Sequence, residues 1–264
     1  MANAAETWLF RVAIKVVGTQ RLYRAVASAR RKELSLELSE RCRNKVLSGP
    51  FKDMILPVER SWSSDGDFTP KIIGSYESNI HESMMNAIAG NPDIVINVGC
   101  AEGYYAVGLA RLLPNAIVHA FDIDDRARTI CMRAAIENGV ADRVFVDGLC
   151  TTEKLSTIIT SQNRIFIIMD CEGAEMELLD PEKVLGLSRC DVLVETHDFV
   201  APGVTATLES RLGMSHDVTR ISQAGRNPNE VQELAIYSES DRWLMVDEYR
   251  PAIMTWLACR ARRV

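Results

Sequence analysis

Between residues 94 and 212 the chain alternates short apolar runs with longer stretches whose apolar positions recur every three or four residues. The runs Ile94–Val98, Ile117–Ile123, Val144–Val146, Ile165–Met169 and Val192–Val194 are largely continuous, as expected of strands covered on both faces. The stretches between them (Tyr104–Leu113, Arg126–Asn138, Leu155–Thr160, Glu175–Leu179) and the following Thr205–Leu212 read as helices. Strands and helices alternating at this spacing predict a parallel sheet with helices on both sides. The end of the chain breaks the rhythm. Asp217–Ile221 and Glu233–Tyr237 are strand-like, and only a loop with Gly225, Pro228 and Asn229 separates them. A connection without a helix predicts an antiparallel pair.

Upstream of the first strand the periodicity is helical again. Trp8, Val12, Val16 and Val17, continued beyond Gly18 by Leu22, Tyr23 and Val26, predict one helix. Leu34, Leu38, Cys42 and Val46 predict a second that stops at Gly49-Pro50. Leu34-Ser35-Leu36-Glu37-Leu38 also alternates as a strand would. Gly, Pro, Ser and Asp are frequent from Gly49 to Thr69, which predicts a loop, and a short helix around Tyr76–Ile88 leads to the turn Asn91-Pro92. The expected organisation is a helical arm over residues 1–48, a connecting loop and helix over 49–92, and a sheet domain over 93–264.

Charge divides along the same line. The first 48 residues hold ten Lys/Arg against four Glu, a net of +6, and the whole chain is −6, which leaves −12 for the rest. A basic arm on an acidic body can touch lipid or nucleic acid, but more often docks on that body or on a partner subunit, so a homodimer through the arm is one option. The acidic body disfavours a nucleic-acid partner. Seven cysteines are scattered without a Cys-x-x-Cys pair, which fits reduced thiols in a cytoplasmic protein better than a disulfide framework or a zinc knuckle. No apolar run approaches the roughly 18 residues of a membrane span; Trp8–Val17 is interrupted by Arg11 and Lys15.

The first strand runs into "NVGCAEGYY", residues Asn97 to Tyr105. A dinucleotide turn needs Gly-x-Gly-x-x-Gly, but the second and third glycine places hold Ala101 and Tyr104. A P-loop needs a Gly-Lys-Ser/Thr that is absent. Asn97-x-Gly99-x-Ala101-x-Gly103 instead resembles the first motif of class I S-adenosylmethionine-dependent methyltransferases, with Asn97 in place of the usual acid and Ala101 in place of the middle glycine. That resemblance implies a Rossmann-like class I sheet with S-adenosylmethionine held along Asn97, Gly99, Cys100, Ala101, Glu102, Gly103 and Tyr104. Exposed N–H groups at such a turn suit the cofactor's carboxylate. Asp122, with Ile123 beside it, ends the second strand about twenty residues beyond the glycine turn, where an acid can bind both ribose hydroxyls. Asp147-Gly148 ends the third strand and suits the adenine amino group.

"MDCEGAE", Met169 to Glu175, resembles the FkbM family of methyltransferases, whose Asp-x-Glu-Gly-x-Glu follows the fourth strand; "GPFKDM" and "GSYESNIHE" look like its upstream segments. This resemblance implies O-methylation of a small molecule in secondary metabolism. Asp170 stands at one strand end, and Glu195, His197 and Asp198 follow the next. His197 is the expected general base, because an imidazole accepts a proton near neutral pH, with Glu195 or Asp170 to orient it. Glu175 is expected only to complement a helix dipole. These acids and the histidine also make an acceptable donor set for a divalent metal, which the resemblance does not require. Three other functions stay open: methylation at nitrogen, a non-catalytic cofactor-binding module that regulates a partner, and an NAD-dependent oxidoreductase.

Overall fold

The computed structural model describes residues 15–57, 68–159 and 163–262. Its centre is a seven-stranded sheet made of β1 (Ile94–Val98), β2 (Ile117–Phe121), β3 (Val144–Asp147), β4 (Ile165–Met169), β5 (Asp191–Thr196), β6 (His216–Ser222) and β7 (Thr255–Ala261). The order is β3-β2-β1-β4-β5-β7-β6, the first five strands parallel and β7 antiparallel to both of its neighbours. This is the class I methyltransferase fold. Its five parallel strands fall where the apolar runs put them, to within three residues.

Strand alternation sends side chains to two cores. Val95, Phe166, Ile168, Leu193 and Trp256 face one layer; Ile96, Ile167, Val192, Val194 and Leu257 face the other. Over the first face lie α1 (Thr19–Cys42), α2 (Phe68–Ile73), α3 (His81–Ala89), α4 (Tyr104–Leu112), α5 (Asp125–Glu137) and α9 (Glu239–Val246); over the second lie α6 (Thr152–Ile158), α7 (Glu175–Leu178) and α8 (Val204–Leu212). Local chemistry sets several helix starts. The Asp124 carboxylate accepts from Arg126 N and Ala127 N at α5, Thr151 caps α6, and Ser238 caps α9. Gly108 lets Phe51 pack onto α4, since a Cβ there would lie 2.4 Å from the Phe51 ring.

Three sequence expectations are corrected. Glu233–Tyr237 is not a strand: Gln232–Leu234 forms a 3-10 turn, and α9 follows it. The antiparallel partner of β6 is β7, reached by a long return connection rather than a hairpin. The arm does not divide near residue 30. A single helix, α1, runs from Thr19 to Cys42, and Gly18 at φ 85 precedes it. Leu34 and Leu38 are buried on one face of that helix, so a 3.6-residue stripe explains the alternation seen there. At the described ends of 49–69, Ile55 bridges Lys45, and Phe68 begins α2, while residues 58–67 lie outside the described residues. Trp8, Val12 and Thr160 lie outside the described residues.

The basic arm meets the acidic body where α1 crosses α9. Arg30 forks onto Asp241 (3.0 and 2.9 Å), and Arg31 pairs with Asp247 at 3.1 Å while stacking over Tyr249. Among the described residues no helix is long and apolar enough to cross a membrane.

Candidate active site

Strand order reverses between β1 and β4, and a crevice for a ligand opens beyond the carboxyl ends of strands at such a point. Two connections meet there. The β1–α4 turn hangs on β2, with Gly99 N and Cys100 N both donating to Phe121 O at 2.9 Å. Gly99 has φ +78, and a Cβ on it would lie 1.7 Å from the Asp170 carbonyl oxygen. Only glycine lets the turn lie against the end of β4. Gly103, at φ +91, precedes α4 and would drive a Cβ to 2.9 Å from Cys131 Sγ. Ala101 also takes a positive φ, 45°.

The turn residues singled out from the sequence are brought together, with one extension. Asp122 accepts from Ala101 N and Asp124 N at 2.9 Å each, which ties the β2 end to the turn. Ile123 beside it is exposed. Asp147 is further out on the surface, bonded to Gly148 N (2.7 Å) and Lys154 Nζ (2.5 Å). Tyr104 is buried among aromatic rings, edge-on to Phe51 at 5.0 Å and Tyr76 at 5.5 Å. Cys100 is buried as well. Two acceptors on this connection are buried without a donor: Asn97 Oδ1 and Glu102 Oε2. Orphaned buried acceptors are rare and costly, and a ligand ammonium would satisfy them. The turn therefore fits the amino-acid end of S-adenosylmethionine.

On the other side of the crevice Asp170, Glu195 and His197 converge, with their donor atoms within 4.8 Å of one another. His197 Nε2 faces Asp170 Oδ1 and Glu195 Oε2, both at 3.4 Å. Its Nδ1 bonds Glu175 Oε1 at 2.6 Å. Glu175 is fully buried and also accepts from Gly173 N. It is the residue that orients the ring, a larger role than the dipole complement expected of it. Asp198 is not part of the cluster, because it accepts from Gly203 N, Thr205 N and the Thr205 hydroxyl at the start of α8. Glu172 is exposed.

Electrostatics revise the role of His197. Burial disfavours its cation, but hydrogen bonds to Asp170, Glu175 and Glu195 outweigh that and push its pKa up to about 12. The ring then holds its proton at neutral pH, and the expectation of a free imidazole base does not hold for the cluster in this state. Asp170 moves the other way. Burial opposes its ionisation, and the hydrogen bond and charge of His197 prevail, so its pKa is lowered. Glu195 is pushed up to about 7, chiefly by burial and then by the neighbouring charge of Asp170.

Sequence reading missed Arg226, Glu248 and Arg250, which lie behind Glu195. Arg250 reaches Glu195 at 3.3 Å, Tyr76 Oη at 3.1 Å, Glu248 at 3.3 Å, and Glu77. Glu248 also accepts from Glu77 N at 2.6 Å and pairs with Arg226. Burial pushes the Glu77 carboxyl well up. Arg226, Glu248 and Arg250 lie in a segment without periodicity, and no spacing marks them. Five carboxylates thus surround two guanidinium groups and one imidazole. With His197 protonated and the Glu77 carboxyl pushed up, the three cations and the ionised carboxylates come close to balance.

Solved structures share this architecture. The cofactor-bound protein Rv0187 from MTB matches over 99% of this chain and 100% of its own, at 15% identity and TM-score 0.50. The O-methyltransferase TomG from Streptomyces achromogenes, in complex with SAM, matches over 71% and 81% at 16% identity and TM-score 0.47. An O-methyltransferase from Bacillus cereus in complex with SAH matches over 75% and 98% at 14% identity and TM-score 0.45. At these identities the likeness concerns the fold. No family model and no curated protein matches the chain.

Proposed function

We propose that the chain is an S-adenosylmethionine-dependent methyltransferase that methylates an oxygen of a small molecule. The observation that carries this reading is the contact between the two halves of the crevice. Gly99 of the cofactor-type turn lies directly against Asp170, whose side chain joins the cluster with Glu195 and His197. The buried acceptors Asn97 Oδ1 and Glu102 Oε2 on that turn suit a ligand that carries an ammonium. The Asp170–Glu175 segment supports an FkbM-like affiliation, and the acidic body supports a small acceptor over a nucleic acid.

When bound, the cofactor would supply an electrophilic methyl group with a neutral thioether as leaving group. What remains for the protein is to align the acceptor and take its proton. Glu195 is placed to take it, since a carboxylate with pKa about 7 is matched to neutral pH. His197, pinned by Glu175 and carrying its proton, holds Asp170 ionised and stabilises negative charge developing nearby. Arg250 fixes Glu195 from behind.

A second reading has its own support. One histidine nitrogen and two carboxylates face each other while Glu175 holds the opposite ring nitrogen, the arrangement that orients a metal-ligating imidazole. A divalent cation at Asp170, Glu195 and His197 would replace the imidazolium proton and lower the pKa of an acceptor hydroxyl. Methyl-labelled cofactor offered with phenol, catechol, polyol and amine acceptors tests both readings. Label on oxygen that persists after exhaustive chelation supports the Glu195 mechanism. Label on oxygen that is lost with the metal and restored by it supports the second reading. Label found only on amines would overturn the assignment to oxygen.

A further inference from the structure

The body uses only one half of the arm. From Arg30 onward α1 is docked: Arg30 and Arg31 pair with Asp241 and Asp247, and Leu34 and Leu38 are buried. The half before Arg30 stands in solvent. Val16, just ahead of Gly18, is 78% exposed, Tyr23 69% and Val26 55%. Along the first turns of α1, Leu22, Ala25, Val26 and Ala29 repeat at the i, i+3, i+4, i+7 spacing of one helix face. Nine residues, about two and a half turns, separate Leu22 from the buried Arg31. The stripe therefore points away from the side on which α1 meets the body. At about 100° per residue, Arg21 and Lys32 border it on one flank and Tyr23 on the other.

Charge points the same way. Residues 15–32 contain six Lys/Arg and no Asp or Glu. Lys15, Arg21, Arg24 and Lys32 are exposed and have no acidic partner among the described residues. Arg21 lies in the first turn of α1, where the macrodipole disfavours a cation, and no acid stands in that turn to offset it. An apolar stripe edged by unpaired cations and a tyrosine is the pattern of a helix that lies in the plane of a membrane surface. Its apolar side chains face the acyl chains, and its basic side chains reach the headgroup phosphates. A polynucleotide would meet the cations but leave the stripe in water, and the acidic body would repel it. Nor does a second copy offer the acids that receive the arm here, because its Asp241 and Asp247 are taken by its own Arg30 and Arg31. We infer that residues 15–32 form a docking surface for an anionic lipid bilayer, which would hold the protein at the membrane surface without spanning it. Such an attachment is independent of the chemistry in the crevice and sets where that chemistry is done.

Co-sedimentation of the full chain with vesicles tests the surface. Two compositions are compared, phosphatidylcholine alone and phosphatidylcholine mixed with phosphatidylglycerol. Wild type is expected to bind the mixed vesicles, to release as salt is raised, and to leave phosphatidylcholine alone unbound. Arg21→Gln/Lys32→Gln is expected to bind the mixed vesicles at least about tenfold more weakly, each basic side chain near an anionic surface contributing about fivefold. Val26→Asp, which puts a charge into the stripe, is expected to weaken binding by a similar factor. All three side chains are exposed, so the urea midpoint of each variant should stay at that of wild type, which reports that the variants are folded. Wild type that does not sediment with the mixed vesicles, that binds both compositions equally, or that binds no better than the variants would overturn the assignment. A lipid-free dimer that Arg21→Gln/Lys32→Gln dissociates would overturn it in favour of a second copy. Salt-sensitive binding of a duplex oligonucleotide tighter than that of the vesicles would overturn it in favour of nucleic acid.

Discussion

The protonation of His197 is the sharpest consequence of the cluster, and it can be read as stability. In the folded protein its pKa is raised from 6.5 to about 12 by three carboxylates around a ring that is 3% exposed. A raised pKa means that the folded state keeps a proton the unfolded chain releases above about pH 6.5. The stabilisation is therefore complete below that pH and is lost as pH rises toward 12. For one proton the slope is about 1.4 kcal/mol per pH unit, or about 2.7 kcal/mol between pH 7.5 and 9.5. Glu195 titrates near the lower end of this window, so the comparison is made in its absence. Urea unfolding of Glu195→Gln and of the double variant Glu195→Gln/His197→Gln, in chelator, gives two stability curves against pH. The buried cysteines contribute equally to both and cancel in the difference. With Asp170 and Glu175 still holding the ring proton, the single variant is expected to lose more than the double over this range, by up to about 2.7 kcal/mol. Nitrogen-15 shifts of the His197 ring should show imidazolium at pH 8.5, where an ordinary histidine is about 1% protonated. Parallel curves, or a ring that titrates near 6.5, would refute the electrostatic account and restore His197 as a base.

Two further outcomes follow from the fold. Gly99→Ala places a methyl 1.7 Å from the Asp170 carbonyl at a left-handed φ; the variant is expected to lose more than about 2 kcal/mol of stability together with S-adenosylhomocysteine affinity, and urea unfolding within about 0.5 kcal/mol of wild type would show that the turn and β4 are not in contact. Asp241→Lys faces Arg30 with a like charge; hydrogen exchange should accelerate over residues 30–42 of α1 while β1 to β5 stay protected, and unchanged exchange in α1 would mean that the arm is held by its apolar face alone.

What the sequence made legible depended on the range of the interaction. The parallel strands were readable because each is a short, continuous apolar run bounded by helical periodicity, and Asn97–Gly103 was readable because its glycines answer to local backbone geometry. Asp170, Glu195 and His197 were readable as a group because the strand ends of an α/β sheet converge wherever topology makes β4 and β5 neighbours. The orienting role of Glu175 was not. Its position in the first turn of a helix has a sufficient local explanation, and only the fold turns the side chain inward to Nδ1 of His197. Arg250 and Glu248 lie more than 50 residues from Glu195 in an irregular segment, so nothing local distinguishes them from surface charges. β7 was missed for a related reason. Thr255–Ala261 is short and ends near Arg260 and Arg262, and its pairing with β5 and β6 is set by long-range contacts.

The central claim is that the crevice between β1 and β4 holds S-adenosylmethionine. Calorimetric titration of the purified chain with S-adenosylhomocysteine, and separately with NAD, tests it most directly. The account expects micromolar binding of S-adenosylhomocysteine and none of NAD. Binding of NAD with no response to S-adenosylhomocysteine would contradict it.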